Sequence, residues 1–352
     1  MHLRETSVAN TAKKPSKTTI VDIAKLAGVS YSTVSRVATN YAHVSPGTRE
    51  RVLIAMEQLG YAPNQHARSL LTGKSHIVSV LVHAIGTEYI GEIFRGFEDE
   101  LAAKEYNLML YTTHRHRGKE AEYVSTILQG FADGLLLVVP MGRESYLQGL
   151  RASGFPYVIV EEAIPDERDP SVGITNRKGT YDATRYLLQL GHRRIAFITD
   201  VMNLNTAVER NKGYCDALAE FGIPYDADLV PEDDFIRPQP SAITGRLLEL
   251  PQPPTAILTS SDPIAFRVME VLSREYGLDV PDDISVVGFD DIPTASIVSP
   301  RLTTVRHPMA EMGRVAAHML LERIQNPDLP PEHVQLETQL VVRESCRPPK
   351  AS

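Results

Sequence analysis

The sequence predicts two structural parts, a small all-α helix-turn-helix headpiece and a larger two-lobed, doubly wound α/β body. Three short helical patterns, each with its own cap or turn residues, occupy residues 18–62. From residue 77 onward, short β-rich runs alternate with helical stretches, which is typical of parallel sheets covered by helices on both faces. The length of 352 residues leaves room for both parts.

Charge is distributed unevenly between these parts. Residues 1–75 carry ten Lys and Arg against four acidic residues, a balance of +6, whereas the rest of the chain carries 26 basic and 40 acidic residues, a balance of −14. This asymmetry indicates a small module attracted to a polyanion and an acidic body that is not. Polar residues 1–17 are expected to form a disordered leader, which would by itself supply part of the basic excess.

Several protein classes are excluded. No apolar run approaches the ~18 residues of a membrane helix, and we expect no secretory signal. Cys215 and Cys346 form no C-x-x-C pair, and the chain has no phosphate-binding G-x-x-x-x-G-K-[ST] loop, G-x-S-x-G elbow or H-E-x-x-H helix. We therefore expect a cytoplasmic protein that has no metal, no cofactor and no catalytic residues.

The first helix is predicted from its ends. Thr19 and Asp22 fit a capping box at its start, and Gly28 ends it. Its apolar positions recur at helical spacing: Ile20, Ile23, Ala24 and Ala27.

Two further helices follow. Ser30 is the expected N-cap of the second, and Ser45 with Pro46 begins the third, which Gly60 ends. The apolar positions predicted to face the core are Val34, Val37 and Ala38 in the second helix and Val52, Leu53, Met56 and Leu59 in the third. With the tight turn at residues 27–30, the first two helices predict a helix-turn-helix unit.

The outer face of the second helix carries chemistry suited to DNA. Arg36 is able to contact guanine O6 and N7 together, and Tyr31 and Ser32 stand at the helix N-terminus, within reach of base edges. Backbone N–H groups at the helix starts suit phosphates. The alternative is a solvated polar face on an ordinary three-helix bundle.

A run of motifs resembles the DNA-binding end of the LacI family of bacterial repressors. The matching stretches are Thr19–Ala24, Ala27–Ser30, Thr33–Val37, Val44-Ser45, Thr48–Val52, Leu59–Tyr61, Pro63-Asn64 and Ala67–Leu70. Residues 38–40, Ala-Thr-Asn, depart from the Leu-Asn-Gly-like turn usual in the family. The resemblance implies DNA contacts at Thr19, Ser30, Tyr31, Ser32, Thr33, Ser35, Arg36, His43, Asn64, Ala67 and Leu70.

The resemblance also implies that residues 63–74 form a hinge helix on operator DNA, with two copies meeting in the minor groove. Ala67 and Ser69 are small enough for close helix approach, and Leu70 would act as an apolar wedge between base pairs. The alternative is a flexible linker whose Leu70 packs on the body.

The larger body is predicted from strands and helices that alternate along the chain. Strands are predicted at 77–82, 108–112, 135–139, 157–160, 195–199, 256–259 and 284–288, and helices around 92–105, 119–130, 178–190, 207–221 and 264–276. So long a stretch favours two lobes with a ligand cleft at the carboxyl ends of the strands.

This region is similar to the family's effector and dimerisation domain, which is related to periplasmic sugar-binding proteins. Matching stretches include Asp133-Gly134, Leu190–Ala196, Arg210–Tyr214, Ser285–Asp291 and Leu302–Val305. The resemblance places this domain at 75–346, with crossings between lobes near 174, 305 and 335. One lobe would comprise residues 75–174 and 306–334, the other 175–305 and 335–346, and residues 347–352 would form a tail.

Candidate effector contacts follow predicted strand ends or match the family's sugar-binding positions. They are Tyr89, His114, Glu161, Arg210, Ser261, Asp290 and His307. A carboxylate such as Asp290 accepts hydrogen bonds from hydroxyls, and Arg210, expected to open a helix, donates several N–H groups. As alternatives, Asp290 and Asp262 are helix caps, Arg210 only pairs with an acid, and the histidines, His83 among them, are structural.

These observations predict a ligand-responsive transcriptional repressor, associated with the nucleoid, that binds a near-palindromic operator as a homodimer, with a sugar as effector. The tail lacks the leucine heptad of the family's tetramers, which favours a dimer. A corepressor such as a nucleobase, or a phosphoprotein partner, remains an alternative form of control. A solute-binding protein and a doubly wound enzyme are the rival classes; the first would have an export signal and no basic headpiece.

Overall fold

The computed structural model describes residues 18–38, 43–61, 74–113, 119–130, 132–139, 144–161, 166–202, 204–233 and 239–350. The chain divides into two compact units, Met1–Ser75 and His76–Ser352. The predicted leader, all of the predicted hinge except residue 74, and His114 lie outside the described residues. No helix in the described part of the chain is long and apolar enough to span a bilayer.

The first unit contains the three predicted helices, α1 (Ile20–Ala27), α2 (Tyr31–Ala38) and α3 (Pro46–Gln58). At the start of α1, the Asp22 carboxylate accepts a hydrogen bond from the Thr19 backbone N–H at 2.9 Å. Gly28 ends the helix with φ of 64°, a left-handed conformation that glycine adopts without strain. The Ser30 hydroxyl accepts from the Thr33 N–H at 3.2 Å and so caps α2.

The core of this unit differs from the prediction in α3. Val52, Ala55 and Met56 are buried there, whereas the predicted core residues Leu53 and Leu59 are 51% and 37% exposed. Helical geometry explains the difference, because Val52, Ala55 and Met56 are spaced three and four residues apart and share one face. Leu53 lies about 100° around the helix from Val52, and Leu59 lies beyond the last helical residue.

The second unit begins with alternating strands and helices that build one lobe. The elements are β1 (Ile77–Val82), α4 (Glu88–Ala102), β2 (Asn107–Thr112), α5 (Glu120–Ile127), β3 (Gly134–Val138), α6 (Glu144–Ser153), β4 (Tyr157–Val160) and β5 (Ser171–Ile174). Every residue of β3 and β4 is buried, as expected of central parallel strands covered on both faces.

The chain then builds a second lobe of the same type. Its elements are α7 (Asn176–Gln189), β6 (Ile195–Asp200), α8 (Asn205–Glu220), β7 (Glu232–Asp233), α9 (Pro240–Leu248), β8 (Ala256–Thr259), α10 (Asp262–Tyr276), β9 (Ser285–Asp290) and β10 (Thr303–Arg306).

The last elements return to both lobes. Helix α11 (Met309–Gln325) packs on α4, β11 (His333–Leu336) pairs with β5, and β12 (Gln339–Val341) pairs antiparallel with β10. The two six-stranded sheets have the orders β11-β5-β4-β3-β1-β2 and β12-β10-β9-β8-β6-β7. Apart from the β10–β12 pair, all neighbouring strands are parallel. The chain therefore passes between the lobes after β5, after β10 and between β11 and β12.

All seven predicted strands and all five predicted helices of the body are confirmed, with ends shifted by a few residues. The structure adds three helices, α6, α9 and α11, and five strands, β5, β7, β10, β11 and β12. These added strands have two to four residues each, so their pairing defines them more than their composition does.

Candidate functional site

A cavity of about 500 Å³ lies between the two lobes of the second unit, at the carboxyl ends of their parallel strands. The first lobe contributes wall residues from the ends of β1, β3 and β4 and from the start of α4. The second contributes residues from the ends of β6, β8 and β9 and from helices α8, α9 and α10. Ligand sites in doubly wound folds lie at this edge of the sheet, and the size is that of a small-molecule pocket.

Five of the seven predicted effector residues line this cavity: Tyr89, Glu161, Arg210, Ser261 and Asp290. The sixth, His307, does not line it but lies behind the carboxylates, with its side chain fully buried. The seventh, His114, lies outside the described residues. The structure thus brings together side chains from both lobes that are up to 201 positions apart in the sequence, from Tyr89 to Asp290.

Arg210 is held rigidly in the wall. Its Nε donates to Asn176 Oδ1 at 2.8 Å, and its Nη1 donates to the backbone oxygen of Ser260 at 2.6 Å. The guanidinium carbon lies 3.8 Å from the centre of the Phe289 ring, a cation–π distance. Arg210 was predicted to open a helix. Helix α8 begins at Asn205 instead, so Arg210 stands in its second turn.

Glu161 connects the two lobes. Its Oε2 accepts a hydrogen bond from the Tyr89 hydroxyl at 2.6 Å within the first lobe. Its Oε1 lies 3.6 Å from Nη2 of Arg210 in the second lobe. Burial, and next the charge of Glu161, raise the pKa of Tyr89 well above its usual value, so the phenol stays protonated and keeps donating.

His307 lies between carboxylates of the two lobes. Its Nε2 is 3.2 Å from Glu161 Oε2, and its Nδ1 is 3.8 Å from Asp290 Oδ1. Its ring meets the Tyr89 ring edge-on, with 5.4 Å between centres. Burial raises the pKa of Asp290, while His307 and Arg210 oppose that rise. In this arrangement His307 supports the cavity wall from behind, which corrects its predicted role as a direct contact.

The prediction missed several wall residues, among them Thr87, Asp200, Thr206 and Arg267. Burial raises the pKa of the Asp200 carboxyl to about 6. Asp200 ends β6, so the strand-end rule that selected Glu161 and Asp290 would have found it.

His83 and Asp262, for which the sequence suggested structural roles, both have hydrogen-bonding partners in the protein. His83 lines the cavity, with Nε2 2.9 Å from the backbone oxygen of Val139 and Nδ1 3.2 Å from Thr113 Oγ1. Asp262 is fully buried and accepts from the Ile292 N–H at 2.9 Å and from the Thr304 hydroxyl at 2.6 Å. Asp262 therefore joins α10 to β10 and to the segment after β9. It is the first residue of α10, whose N-cap is Ser261, so the helix-cap alternative for Asp262 is wrong.

The cavity combines few charged groups with a largely apolar wall. The apolar wall residues include Ile90, Val138, Leu204, Pro263 and Ile264. The carboxylates of Glu161, Asp200 and Asp290 accept hydrogen bonds. Arg210 and Arg267 donate them, and the Tyr89 ring offers a flat surface. In the described part of the chain, no three His, Cys, Asp or Glu side chains are grouped to hold a metal ion. The arrangement suits a small molecule with several hydroxyl groups.

On the headpiece, the polar face of α2 is open to solvent. Tyr31 is 68% exposed, and Ser32 and Arg36 are exposed. Because Ser32 and Arg36 are four residues apart, they stand on one side of the helix. Thr33 and Ser35 are half-buried on α2, and His43 is exposed shortly before α3.

Two predicted DNA contacts also take part in helix capping. The Thr19 hydroxyl donates to Asp22 at 2.7 Å, and the Ser30 hydroxyl lies 2.8 Å from Ser32 Oγ and 2.9 Å from Thr33 Oγ1. The remaining predicted contacts, Asn64, Ala67 and Leu70, lie outside the described residues.

Two protein families match this chain by their sequence profiles. Bacterial regulatory proteins of the lacI family match residues 19–64, and the periplasmic binding protein-like domain matches residues 184–346. Catabolite control protein A of Priestia megaterium is 32% identical over 94% of this chain and 99% of its own length. The HTH-type transcriptional regulator CelR of Thermobifida fusca is 36% identical over 93% and 98%.

Solved structures agree with these relatives. A complex of the transcriptional regulator CelR with cellobiose matches with a TM-score of 0.70 and 34% identity, covering 94% of this chain and 100% of the other. The lac repressor dimer bound to operator and an anti-inducer matches with a TM-score of 0.80 and 27% identity, covering 94% and 99%. The lacI family and these relatives are DNA-binding transcriptional regulators and not enzymes. The chain belongs to the LacI family of transcriptional regulators.

Proposed function

We propose that this regulator is a repressor that acts in the cytoplasm, binds a near-palindromic operator as a homodimer, and responds to a sugar in the interlobe cavity. The observation that carries the effector assignment is the buried cluster of Glu161, Arg210 and Asp290. It presents both hydrogen-bond acceptors and a fixed guanidinium donor to one cavity. Such a combination matches a polyol, whose hydroxyls donate and accept at once.

DNA binding is supported by the headpiece and by the neighbour structures. Helix α2 exposes Tyr31, Ser32 and Arg36, which suit base edges in a major groove. The residues up to Ser75 carry the basic excess of the chain, which attracts phosphates without regard to sequence. The lac repressor dimer on its operator spans nearly the same length of chain, which supports a homodimer on a two-fold site.

A sugar is favoured over a nucleobase by the composition of the wall. Tyr89 supplies the one Phe, Tyr or Trp ring among the described lining residues, so a planar base has no pair of aromatic rings to stack between. The charged groups Glu161, Arg210 and Asp290 instead match a ligand with several hydroxyls. Two solved neighbours hold sugars, one cellobiose and one ribose.

The proposed mechanism is a shift between lobe arrangements. Glu161 comes from the first lobe and Arg210 and Asp290 from the second, so a sugar that contacts all three favours the closed lobes. Closure biases the pair of hinges and thus the population of operator-bound protein, by an amount equal to the difference in sugar affinity between the two states.

A panel of sugars and purines tests this proposal. Thermal unfolding is recorded with each compound, and operator binding of the same samples is measured by fluorescence anisotropy. We expect at least one sugar to raise the Tm and to change operator affinity, and purines to do neither. A purine that raises the Tm while every sugar leaves it unchanged contradicts the sugar assignment. Equal affinity for operator and for random duplex contradicts the repressor assignment.

A further inference from the structure

The cavity is larger than one sugar ring requires. If each of the twelve non-hydrogen atoms of a hexose took the ~30 Å³ of a water molecule in the liquid, the sugar would fill about 360 Å³. Bonded atoms occupy less space than this, so that value is an upper limit. The cavity measures about 500 Å³. At least about 140 Å³ therefore remains beyond one hexose. The wall residue Arg267 is 60% exposed, so this remaining space opens to solvent and a second unit need not be fully enclosed.

The polar groups of the wall are arranged in two zones. Glu161, Arg210 and Asp290 form a buried inner zone, with 7%, 6% and 5% of each residue exposed. Arg267 lines the same cavity, but its side chain is 60% exposed, which places it at the outer zone near solvent.

Helix α10 joins the two zones. Ser261, the N-cap of the helix, and Pro263 and Ile264 in its first turn all line the cavity, and Arg267 follows Pro263 and Ile264 by four and three residues. Positions three and four residues apart lie on one face of a helix. The wall therefore continues along α10 by one full turn, and Arg267 is the polar side chain at its outer end.

Arg267 has hydrogen-bond donors to spare. Its Nη1 lies 2.5 Å from Glu270 on the next turn of α10, and this carboxylate is its only ion-pair partner within the described ranges. A guanidinium has five N–H donors. Arg210, in contrast, already donates from Nε and Nη1 to protein oxygens.

We propose that the effector contains at least two linked sugar units and that Arg267 determines this specificity. The first unit occupies the inner zone, and Arg267 donates hydrogen bonds to hydroxyls of the second. The inference rests on the proposed sugar function and adds the length of the ligand to it. Three carboxylates, Glu161, Asp200 and Asp290, face the cavity against two arginines, so the wall disfavours an anionic ligand and suits uncharged hydroxyl groups.

The test compares Arg267→Ala with a matched control on the same helix. Arg274 also pairs with Glu270, at 2.8 Å, and is 78% exposed, but it does not line the cavity. Arg274→Ala therefore removes a similar surface ion pair without touching the wall. Binding to the full-length dimer is measured by isothermal titration calorimetry with glucose against cellobiose, glucose against maltose, and xylose against xylobiose.

We expect wild-type protein to bind one of these disaccharides at least about tenfold more tightly than its monosaccharide. Arg267→Ala should lower that disaccharide affinity by about tenfold to a hundredfold, the loss expected for hydrogen bonds from a charged donor. Monosaccharide affinity should change less than about twofold, and Arg274→Ala should change neither.

Equal loss of both ligands in Arg267→Ala, or loss of neither, overturns the inference and leaves the sugar function intact. The same holds if wild-type protein binds a monosaccharide as tightly as its disaccharide. Wild-type protein that binds none of these disaccharides overturns the inference, whereas the proposed function is overturned by the thermal-unfolding panel if no sugar raises the Tm.

Discussion

Asp290 shows how a residue that is costly for the fold serves the site. It ends β9 with φ of 123°, is 5% exposed and faces the cavity near Arg210 and His307. Burial raises its pKa, so its ionised form destabilises the folded state. A buried charge at such a cost is typical of binding sites, which supports the proposal that Asp290 accepts hydrogen bonds from the ligand.

Asp290→Asn should therefore abolish the sugar response while leaving operator binding intact. Asparagine keeps the shape and tolerates a positive φ, but its amide replaces one acceptor oxygen by a donor. We expect sugar affinity to fall by at least about tenfold, since a hydrogen bond to a charged group contributes about 1.5–3 kcal/mol. Stability should stay equal or rise. Calorimetry with the sugar and anisotropy with the operator check this, and an unchanged operator response to sugar would remove Asp290 from the site.

Asp200 predicts a pH dependence of sugar binding. Burial raises its pKa to about 6, above the ~3.9 of an unfolded chain. The folded state thus binds this proton more tightly, so Asp200 lowers stability as pH rises from about 4 through 6. A sugar hydroxyl that donates to the ionised carboxylate has the opposite preference. Sugar affinity should rise between pH 5 and 7 and then level off.

Asp200→Asn is the comparison for that measurement. The variant has no proton to release at this position, so its sugar affinity should vary less over the same pH range. A wild-type profile that stays flat from pH 5 to 7, or a variant with the same slope, would show that Asp200 does not accept from the ligand.

The sequence identified wall residues where one simple rule applied. Glu161 and Asp290 stand at the carboxyl ends of strands and were predicted as effector contacts. Asp200 also stands at a strand end and lines the cavity, but it was not predicted. The strand-end rule does not select Arg267, because this residue lies within helix α10. Its place in the wall depends on which face of α10 is turned toward the cavity. His307 follows the short strand β10, and the direction of its ring is set by Glu161 and Asp290, which tertiary folding alone brings beside it.

Helices α4 and α11 pack closely against each other in the first lobe, and glycines permit this contact. A Cβ on Gly96 would lie 2.0 Å from the backbone oxygen of Ala310, and one on Gly313 would lie 2.2 Å from that of Ile93. Backbone atoms cannot move aside as a flexible side chain does. The two helices therefore have to separate if either glycine gains a side chain.

Gly96→Ala should lower the free energy of unfolding by about 1–3 kcal/mol, the usual cost of overpacking, or more. Gly91→Ala on the same helix is the control, because a Cβ there meets nothing within 4 Å. Alanine in an open helical position is more favourable than glycine by roughly 0.5–1 kcal/mol. Urea unfolding should shift the midpoint of the body down for the first variant and slightly up for the second. Equal shifts would contradict the close contact.

Helix α2 should carry sequence specificity through Arg36. Loss of a bidentate contact to guanine costs about 1–3 kcal/mol, so Arg36→Ala should weaken operator binding by about tenfold to a hundredfold. Random duplex has no such base contact, and its affinity should fall much less. Anisotropy titrations with both duplexes at several salt concentrations measure the two losses separately. If both affinities fall equally, Arg36 contacts phosphate and does not read bases.

At the level of elements, the sequence predicted what local patterns determine. The apolar runs of β1 and β3 and the capped helices α1 and α2 were found because composition and end signals coincide. Strand β5, with the sequence Ser-Val-Gly-Ile, was missed because its four residues become a strand by pairing with β4 and β11. Helix α11 carried a readable helical composition, Met-Ala-Glu-Met onward, and was overlooked; it begins without a side-chain cap.

The whole molecule separates its charges between the two units. The basic excess precedes residue 76, and the body carries the acidic excess. DNA therefore attracts the headpiece and repels the body, and this repulsion limits non-specific contacts by the larger part. Such a division leaves the body free to concentrate carboxylates around its cavity.

A polar contact next to the cavity wall joins the two lobes directly. The Glu88 carboxylate of the first lobe accepts from the Thr294 backbone N–H at 3.0 Å and from the Thr294 hydroxyl in the second lobe. Neither Glu161 nor Arg210 takes part in this contact. Because it forms only when the lobes are close, it stabilises the closed state, and the observed sugar affinity scales with the population of that state.

Glu88→Ala should weaken sugar binding by about two- to tenfold, since solvent screens these exposed hydrogen bonds to the carboxylate and leaves about 0.5–1.5 kcal/mol net. Glu98→Ala, an exposed position on the same helix, should change nothing. Thr294→Val removes the hydroxyl and keeps the N–H, so its effect should be smaller than that of Glu88→Ala. Combined with Glu88→Ala it should add no further loss, because both variants remove the same contact. Fully additive losses in calorimetry would show that Glu88 and Thr294 act separately and that the rim contact does not control closure.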